Sequence, residues 1–453
     1  MVEYHLVVLV HGLWGTSSHM AYVKSQIEQE AKSRATKEKI VCYITGSHSG
    51  FLTHDGIDVN GKRICDEILA KTQDLTVDKD KVTKFSIVGY SLGGLISRYA
   101  VGYLYSIGFF DNIQPINFTS FCTPHVGALN PGTSWGTRIY NYISPYVLAH
   151  TGFQLFLGDR KKDKLPLLVW MSDHRSAFFK ALSSFNNLVL YANVINDKRT
   201  AWYTAAISSR DPFKSMINEN ASAYVLEFVD GYAPNVVDIS KPLEFKSELN
   251  DNVQPPIVKR GKRSLWRKFN WLKLIYAVVV FPLWILYALG LAGVQAFRNH
   301  RRVGAFFKDR ANSLVHLYEG TKSDTDSDDW TLESFEKGVS QRMEDQTDTF
   351  VESVFTAMNG DSYKNYQAST GSTSGETGSL VNLSGKEQDF KLGLNEDQVT
   401  IINNLNKLNW NKFPVLIRKT KQTHRAAVYR TDDPAFSEGK VVVQQFAQQA
   451  FEF

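Results

Sequence analysis

Residues 86–94 read SIVGYSLGG, a short apolar run that ends in a serine, Ser91, with Gly89 and Gly93 two positions to either side. A helical stretch, LISRYAVGYL, follows at once. A serine at the apex of such a strand-to-helix turn sits in a strained backbone conformation. Side chains two residues away would collide with the neighbouring strand and helix, so glycine is required there. The chemistry such a serine can do is covalent: attack on an acyl carbonyl to form an acyl-enzyme. A hydroxyl is a weak nucleophile near neutral pH, so it needs a histidine to take its proton and a carboxylate to orient that histidine.

The rest of the chain supplies candidates for each role. Leu6 to Val10 form a continuous apolar run suited to a strand buried on both faces, and the run ends directly in His11-Gly12-Leu13-Trp14-Gly15. This is the place and composition of an oxyanion loop in an α/β-hydrolase. There the two backbone N–H donors come from that loop and from the residue after the nucleophile, here Leu13 and Leu92. His11 and Gly12 shape the loop, as Gly89 and Gly93 shape the turn around the serine. In that architecture the chain order is Ser, acid, His. The run NLVLYANVI at 187–195 reads as a late strand and ends in NDKRT, which makes Asp197 the candidate acid. Asp211 and Asp230 also follow apolar stretches and stay open as alternatives.

After Asp197 the only histidines are His300, His316 and His424. His300 lies in a basic cluster, RNHRR, and His316 in an apolar run, LVHLY. His424 follows a strand signal, FPVLI, whose proline marks it as an edge strand, and then a polar loop; KVVVQQFAQQ beyond it reads as a helix. That is where the base belongs. His125, in CTPHVG, precedes the acid and is expected to shape the pocket wall.

These residues resemble the serine esterase family of eukaryotes, and within it the fungal phospholipases of lipid droplets. The matching segments are VVLVHGLWG, THDGIDVNGKRICDEI, IVGYSLGGLISRYAVG, FCTPHVG and LYANVINDKRTAWYTAAI. To them are added NLNKLNWNKFPVLIRKT and THRAAVY near the end, so the likeness spans most of 1–207 and 396–430. Tyr90 departs from the family pattern, in which histidine is commoner before the serine. The resemblance implies an α/β-hydrolase fold with Ser91, Asp197 and His424 as the triad and hydrolysis of phospholipid acyl esters, an acyl transfer that requires no cofactor or metal. It also implies residence on lipid droplets, with the endoplasmic reticulum as a second site and the catalytic domain facing the cytosol.

The elements that must position the triad set the expected organisation. A chain of 453 residues holds one large α/β domain, with a mostly parallel sheet and helices on both faces, plus appendages. The first part of that domain is expected over 1–250, with the aromatic-rich stretch 130–180 as a lid or a plain peripheral helix. Its second part, carrying the histidine, is expected over 396–453, where Val399, Ile402, Leu405 and Leu408 recur every three residues on a helix face. Between the two lie a membrane element at 255–310 and, over 311–395, an acidic then Ser/Thr/Gly-rich linker with one helical signal near Trp330 to Met358. Three scattered cysteines indicate neither a disulfide framework nor a zinc site. The first strand begins too soon after Met1 for a secretory leader, so the sequons at Asn117, Asn220 and Asn382 are expected to stay unused.

Residues 274–296 carry no charged side chain, and as one helix would measure about 35 Å at roughly 1.5 Å per residue. Basic residues flank this run on both sides. A single crossing would also separate Ser91 and Asp197 from His424, so a hairpin bent near Pro282 or Gly290, with both ends on one side, is the expectation. The net charge of +5 collects beside this run and reads as affinity for a phospholipid surface rather than for nucleic acid. The triad reads a carbonyl and not a headgroup. A triacylglycerol lipase, a transacylase and a non-catalytic lipid-binding scaffold are therefore the alternatives.

Overall fold

In the first strand, Leu6, Val8 and Val10 pack into one apolar cluster while Val7 and Leu9 pack into another, all fully buried. Alternation with both faces covered is what a continuous apolar run requires in a parallel sheet, and it fixes this strand at the centre of the molecule. The computed structural model describes residues 2–34, 36–132, 134–160, 165–213, 224–241, 244–245, 281–308 and 392–453.

Strands β1 (Glu3–Val10), β2 (Lys39–Ile44), β3 (Lys81–Tyr90), β4 (Gln114–Phe121) and β5 (Asn187–Asn193) are followed by a two-residue pair, β6 (Tyr224–Val225) and β7 (Glu244–Phe245), and by β8 (Trp410–Val415). Helices are α1 (Ala21–Ser33), α2 (Ile57–Leu75), α3 (Leu92–Ser106), α4 (Trp135–Val147), α5 (Ala149–Leu155), α6 (Leu167–Trp170), α7 (Ala177–Ser183) and α8 (Trp202–Ala205). They continue with α9 (Phe281–Lys308), α10 (Glu396–Leu405), α11 (Thr423–Ala426) and α12 (Ser437–Gln445). The six long strands form one parallel sheet in the order β2-β1-β3-β4-β5-β8.

Helices α2, α3, α7 and α10 pack on one face of this sheet and α1 and α12 on the other. The expected α/β class, with a parallel sheet and helices on both faces, is therefore what the chain adopts. The segment from residue 392 onward supplies an edge strand and helices to both faces, which makes it part of the catalytic body despite its distance along the chain. Pro414 lies in that edge strand, where its missing N–H leaves no gap inside the sheet.

One expectation for this region changes. Helix α9 runs unbroken through Gly290 and on into the basic residues beyond the apolar run, so there is no bend at Gly290. A helical glycine costs only about 1 kcal/mol, and a proline in the first turn, where Pro282 stands, is tolerated. Among the described residues no helix is long and apolar enough to cross a membrane. The upstream arm of the expected hairpin and nearly all of the expected linker, including Trp330 to Met358, lie outside the described residues.

On α10 the buried face is Gln398, Ile401, Ile402 and Leu405, while Val399 is exposed. Helical packing follows a spacing of three and four, which a strict three-residue count misses. Asn117 is fully buried in β4, bonded to Ser86 and to the Glu452 carbonyl, and so is closed to glycosylation.

Candidate active site

All the candidate groups stand at the carboxyl ends of neighbouring strands. β1 leads into the His11 to Gly15 loop, β3 into Ser91, β5 into the Asp197 loop and β8 into the loop before His424. Ser91 has φ +56° and ψ −128°, a strained conformation for a side chain of any size. The turn exists because its neighbours are bare. A Cβ on Gly89 would meet Gly94, and one on Gly93 would meet the carbonyls of Val10 and His11. Gly94, not singled out from the sequence, is equally confined, against Thr123.

His424 Nε2 lies 2.9 Å from Ser91 Oγ, and its Nδ1 lies 2.9 Å from Asp197 Oδ2. A carboxylate can only accept, so Nδ1 carries the proton and the Nε2 lone pair faces the serine hydroxyl. Asp197 is held by four donors: His424, the Asn193 amide at 2.8 Å on Oδ2, and the backbone N–H groups of Arg199 and Thr200 at 3.0 and 2.8 Å on Oδ1. Burial by itself would raise its carboxyl pKa. Its electrostatic interaction with His424 and these hydrogen bonds outweigh that and hold it below its ordinary 3.8. The acid is thus ionised and aimed. The alternatives are elsewhere: Asp230 is exposed, and Asp211 caps the Phe213 N–H. His300 is exposed on α9, and His316 lies outside the described residues.

The oxyanion loop closes as a turn, with the Gly15 N–H donating to the Gly12 carbonyl at 3.0 Å and Trp14 at φ +52°. A Cβ on Gly12 would sit 2.7 Å from Ser91 Cβ and 3.3 Å from Ser91 Oγ, so this turn passes directly over the nucleophile. Leu13 is the residue between, and Leu92 opens α3, where the first N–H groups point out of the helix. His11 is fully buried and stacked on His48 with ring centroids 3.9 Å apart; burial and that neighbour push its pKa well below 6.5. It braces the loop as a neutral ring.

His125 is fully buried beneath β4, with Nε2 2.8 Å from Ser120 Oγ and its ring against Trp410, so it supports the site from behind instead of lining an open wall. The Arg98 guanidinium, also fully buried, donates to the His125 carbonyl at 3.0 Å.

Sequence reasoning missed two supports of the base. Tyr90 Oη donates to the His424 carbonyl, and the Glu438 carboxylate accepts from the N–H groups of Arg418 and Lys419 at 2.7 and 2.8 Å. Their partners lie far apart in the chain, and no spacing rule connects them. Cys122, Asp197 and His424 place ligand atoms within 4.8 Å of one another. Burial and the Asp197 charge keep the Cys122 thiol protonated, and the other two groups are engaged with each other, so the donor set does not suit a metal ion.

Residues 2–210 match the family described as "Putative serine esterase (DUF676)". This part of the chain is similar to that family. The match takes in Ser91 and Asp197 but stops before His424. Over 210 residues the chain is 32% identical to "Putative lipase C4A8.10" of Schizosaccharomyces pombe, covering 45% of this chain and 26% of that protein. Over 206 residues it is 31% identical to "Putative lipase ROG1" of Saccharomyces cerevisiae, covering 45% and 28%. The chain thus spans little more than a quarter of the length of these relatives.

Among solved structures, "Phospholipase PlaB from Legionella pneumophila in complex with thio-NAD" matches at 15% identity and a TM-score of 0.27, over 44% of this chain and 41% of that one. A Paenibacillus extracellular alpha/beta-hydrolase matches at 16% and 0.21, over 31% of this chain and 51% of that one. Over residues 2–210 the chain is thus similar to serine esterases, and its fold is α/β with one parallel sheet.

Proposed function

We propose that this protein hydrolyses the fatty-acyl esters of glycerophospholipids at a lipid surface through an acyl-enzyme. The observation that carries the reading is the continuous hydrogen-bonded line from Asp197 through His424 to Ser91. His424 Nε2 takes the hydroxyl proton as Ser91 Oγ bonds to the acyl carbon, and the oxygen of the tetrahedral intermediate is held by the Leu13 and Leu92 amides. The ester C–O bond then breaks, and the departing alkoxide takes the proton from His424. Water, deprotonated by His424, releases the fatty acid and regenerates the serine.

Support for a lipid surface comes from side chains that a soluble-ester enzyme has no need to expose. On α4, Trp135, Tyr142, Ile143, Tyr146 and Val147 face solvent, and on α9 so do Val294 and Phe297. Exposed Arg298, Arg301 and Lys308 on α9 add charge of the sign that an anionic phospholipid surface attracts, by about 1 kcal/mol each. A lipid droplet, whose phospholipid monolayer covers neutral lipid, would satisfy both features. A triacylglycerol substrate is the second reading, favoured by the names of the yeast relatives.

The test is fatty-acid release from phospholipid-coated triacylglycerol droplets by wild type and Ser91→Ala. Loss of release in the variant, with lysophospholipid or glycerophosphodiester as the second product, is expected. Diacylglycerol as product would move the substrate to neutral lipid, and equal release by both proteins would end the serine-esterase mechanism.

A further inference from the structure

We infer that Asp55, Asn299 and Arg302 position the oxyanion turn, so that the seating of the distant helix α9 sets the catalytic competence of Ser91. The inference takes from the proposed function only that the Leu13 amide stabilises the oxyanion.

The turn that carries Leu13 is not self-supporting. Trp14, at its positive φ, is strained and needs outside contacts to persist. Those contacts come from one short segment. The Trp14 N–H donates to Thr53 Oγ1 at 3.1 Å, and its indole N–H donates to His54 Nε2 at 2.5 Å. An indole can only donate, so His54 is a neutral ring with its proton on Nδ1, and burial holds its pKa down to about 4.

The next residue is Asp55, fully buried. Its carboxylate receives Arg63 of α2 at 2.9 Å, Arg302 at 2.8 Å through Nη2 and again through Nε, and the Asn299 amide at 2.7 Å. The Asn299 amide also donates to the His54 carbonyl at 3.0 Å. The other side of the segment is held by α5, through Thr151 on the Thr53 carbonyl and the Gly56 N–H.

Charge alone does not account for this arrangement. Arg63, from an element integral to the fold, already neutralises Asp55. Asn299 and Arg302 come from a helix that adds no strand to the sheet, and what they add is geometric: a bidentate guanidinium and a bridging amide that fix residues 54 and 55 in place. The line of contact runs from α9 through Asp55 and His54 to Trp14 and the amide beside it.

The experiment uses the full chain with Asn299→Ala and Arg302→Ala combined, which leaves Arg63 on Asp55 and so leaves no buried charge unpaired. Kinetics are read with p-nitrophenyl butyrate, a soluble ester that needs no surface binding. Hydrogen–deuterium exchange is followed in residues 11–16 and, for comparison, in β3 and α3. We expect kcat to fall about tenfold at unchanged KM, less than the loss of a whole donor. Exchange should quicken in 11–16 alone, and Arg302→Lys with Asn299 kept, which retains the charge and the bridging amide but not the bidentate fork, should recover only part of the rate. Unchanged kcat, unchanged exchange in 11–16, or faster exchange spread equally over β3 and α3 would each overturn the inference. The exchange readout stands even if the protein fails to hydrolyse esters, so failure of the esterase reading is distinguishable.

Discussion

Tyr90 Oη donates a hydrogen bond to the backbone carbonyl of His424 at 3.0 Å, and the two rings lie 5.3 Å apart, centroid to centroid. The residue immediately before the nucleophile therefore holds the base, although they are 334 positions apart in the chain. The tyrosine at position 90 thus has a physical use beyond filling the turn. Tyr90→Phe keeps the ring contact and removes only the tether, leaving a carbonyl without its donor. A net hydrogen bond is worth about 1 kcal/mol, so kcat should fall roughly three- to tenfold with KM unchanged. Steady-state kinetics on a soluble ester decide it, and an unchanged kcat would show that the Glu438 brace suffices.

Asp197→Asn tests the orientation of the base rather than its presence. An amide can donate from Nδ2 to His424 Nδ1, which would turn the imidazole's proton toward Ser91 and block proton acceptance. In other Ser-His-Asp enzymes this change lowers kcat by about 10⁴-fold with geometry intact. A drop of that size here, with an unaltered melting profile, is the expected outcome. A loss below tenfold would mean that another carboxylate serves.

The difference between what could and could not be read from sequence follows from range. β1 was legible because a strand buried on both faces must be apolar throughout, and the Ser91 turn because steric rules confine glycine to two nearby positions. Asp197 and His424 were reachable because strand order restricts where each may fall. The Tyr90 tether, the Glu438 clasp and the Asp55 junction were not, since each joins groups whose separation in sequence carries no signal. The bend assigned to Gly290 failed for the opposite reason: a local propensity of about 1 kcal/mol was asked to decide a long helix.

Buried imidazoles give the protein a definite acid response. Burial lowers His5 to about 3, His19 to about 2, and His48 and His54 to about 4, from an ordinary 6.5. The unfolded chain therefore binds more protons than the folded one in the window between each lowered value and 6.5. Stability is complete above pH 6.5 and declines on acidification, by about 1.4 kcal/mol per pH unit for each such ring. Asp197 acts in a lower window: its stabilisation is present above 3.8 and is lost as pH falls through its depressed folded value. Urea unfolding at pH 7, 6 and 5 should show midpoints falling steadily. A flat profile would mean that these rings titrate alike folded and unfolded.

Gly12→Ala probes the space above the nucleophile. The added methyl would meet Ser91 Cβ and Oγ where the substrate carbonyl must enter. The loop lies beyond the carboxyl end of β1 and adds no pair to the sheet, so the sheet should fold normally. Because the methyl displaces both the serine and the turn that carries Leu13, kcat should drop by about 10²–10³-fold, as when an oxyanion donor is lost. Near-normal kcat would place the reacting carbonyl elsewhere.

Gly439→Ala addresses the base from behind. Gly439 lies on α12, where a Cβ would run into the carbonyl of Ala426 at the end of α11, the short helix that carries His424. Backbone cannot yield as a flexible side chain can, so one of the two helices must move. α12 is anchored in the core by Val442 and Val443, both fully buried, whereas α11 is a single turn between loops. The displacement should therefore fall on α11 and draw His424 away from Ser91. Overpacking of this kind costs about 1–3 kcal/mol of stability, and a misplacement near 1 Å costs about 10²-fold in rate. The variant should thus remain folded in circular dichroism, melt only several degrees lower, and lose most of its esterase rate. Full activity together with the stability loss would show that α12 shifts instead and that the base is held by Tyr90 and Asp197 alone.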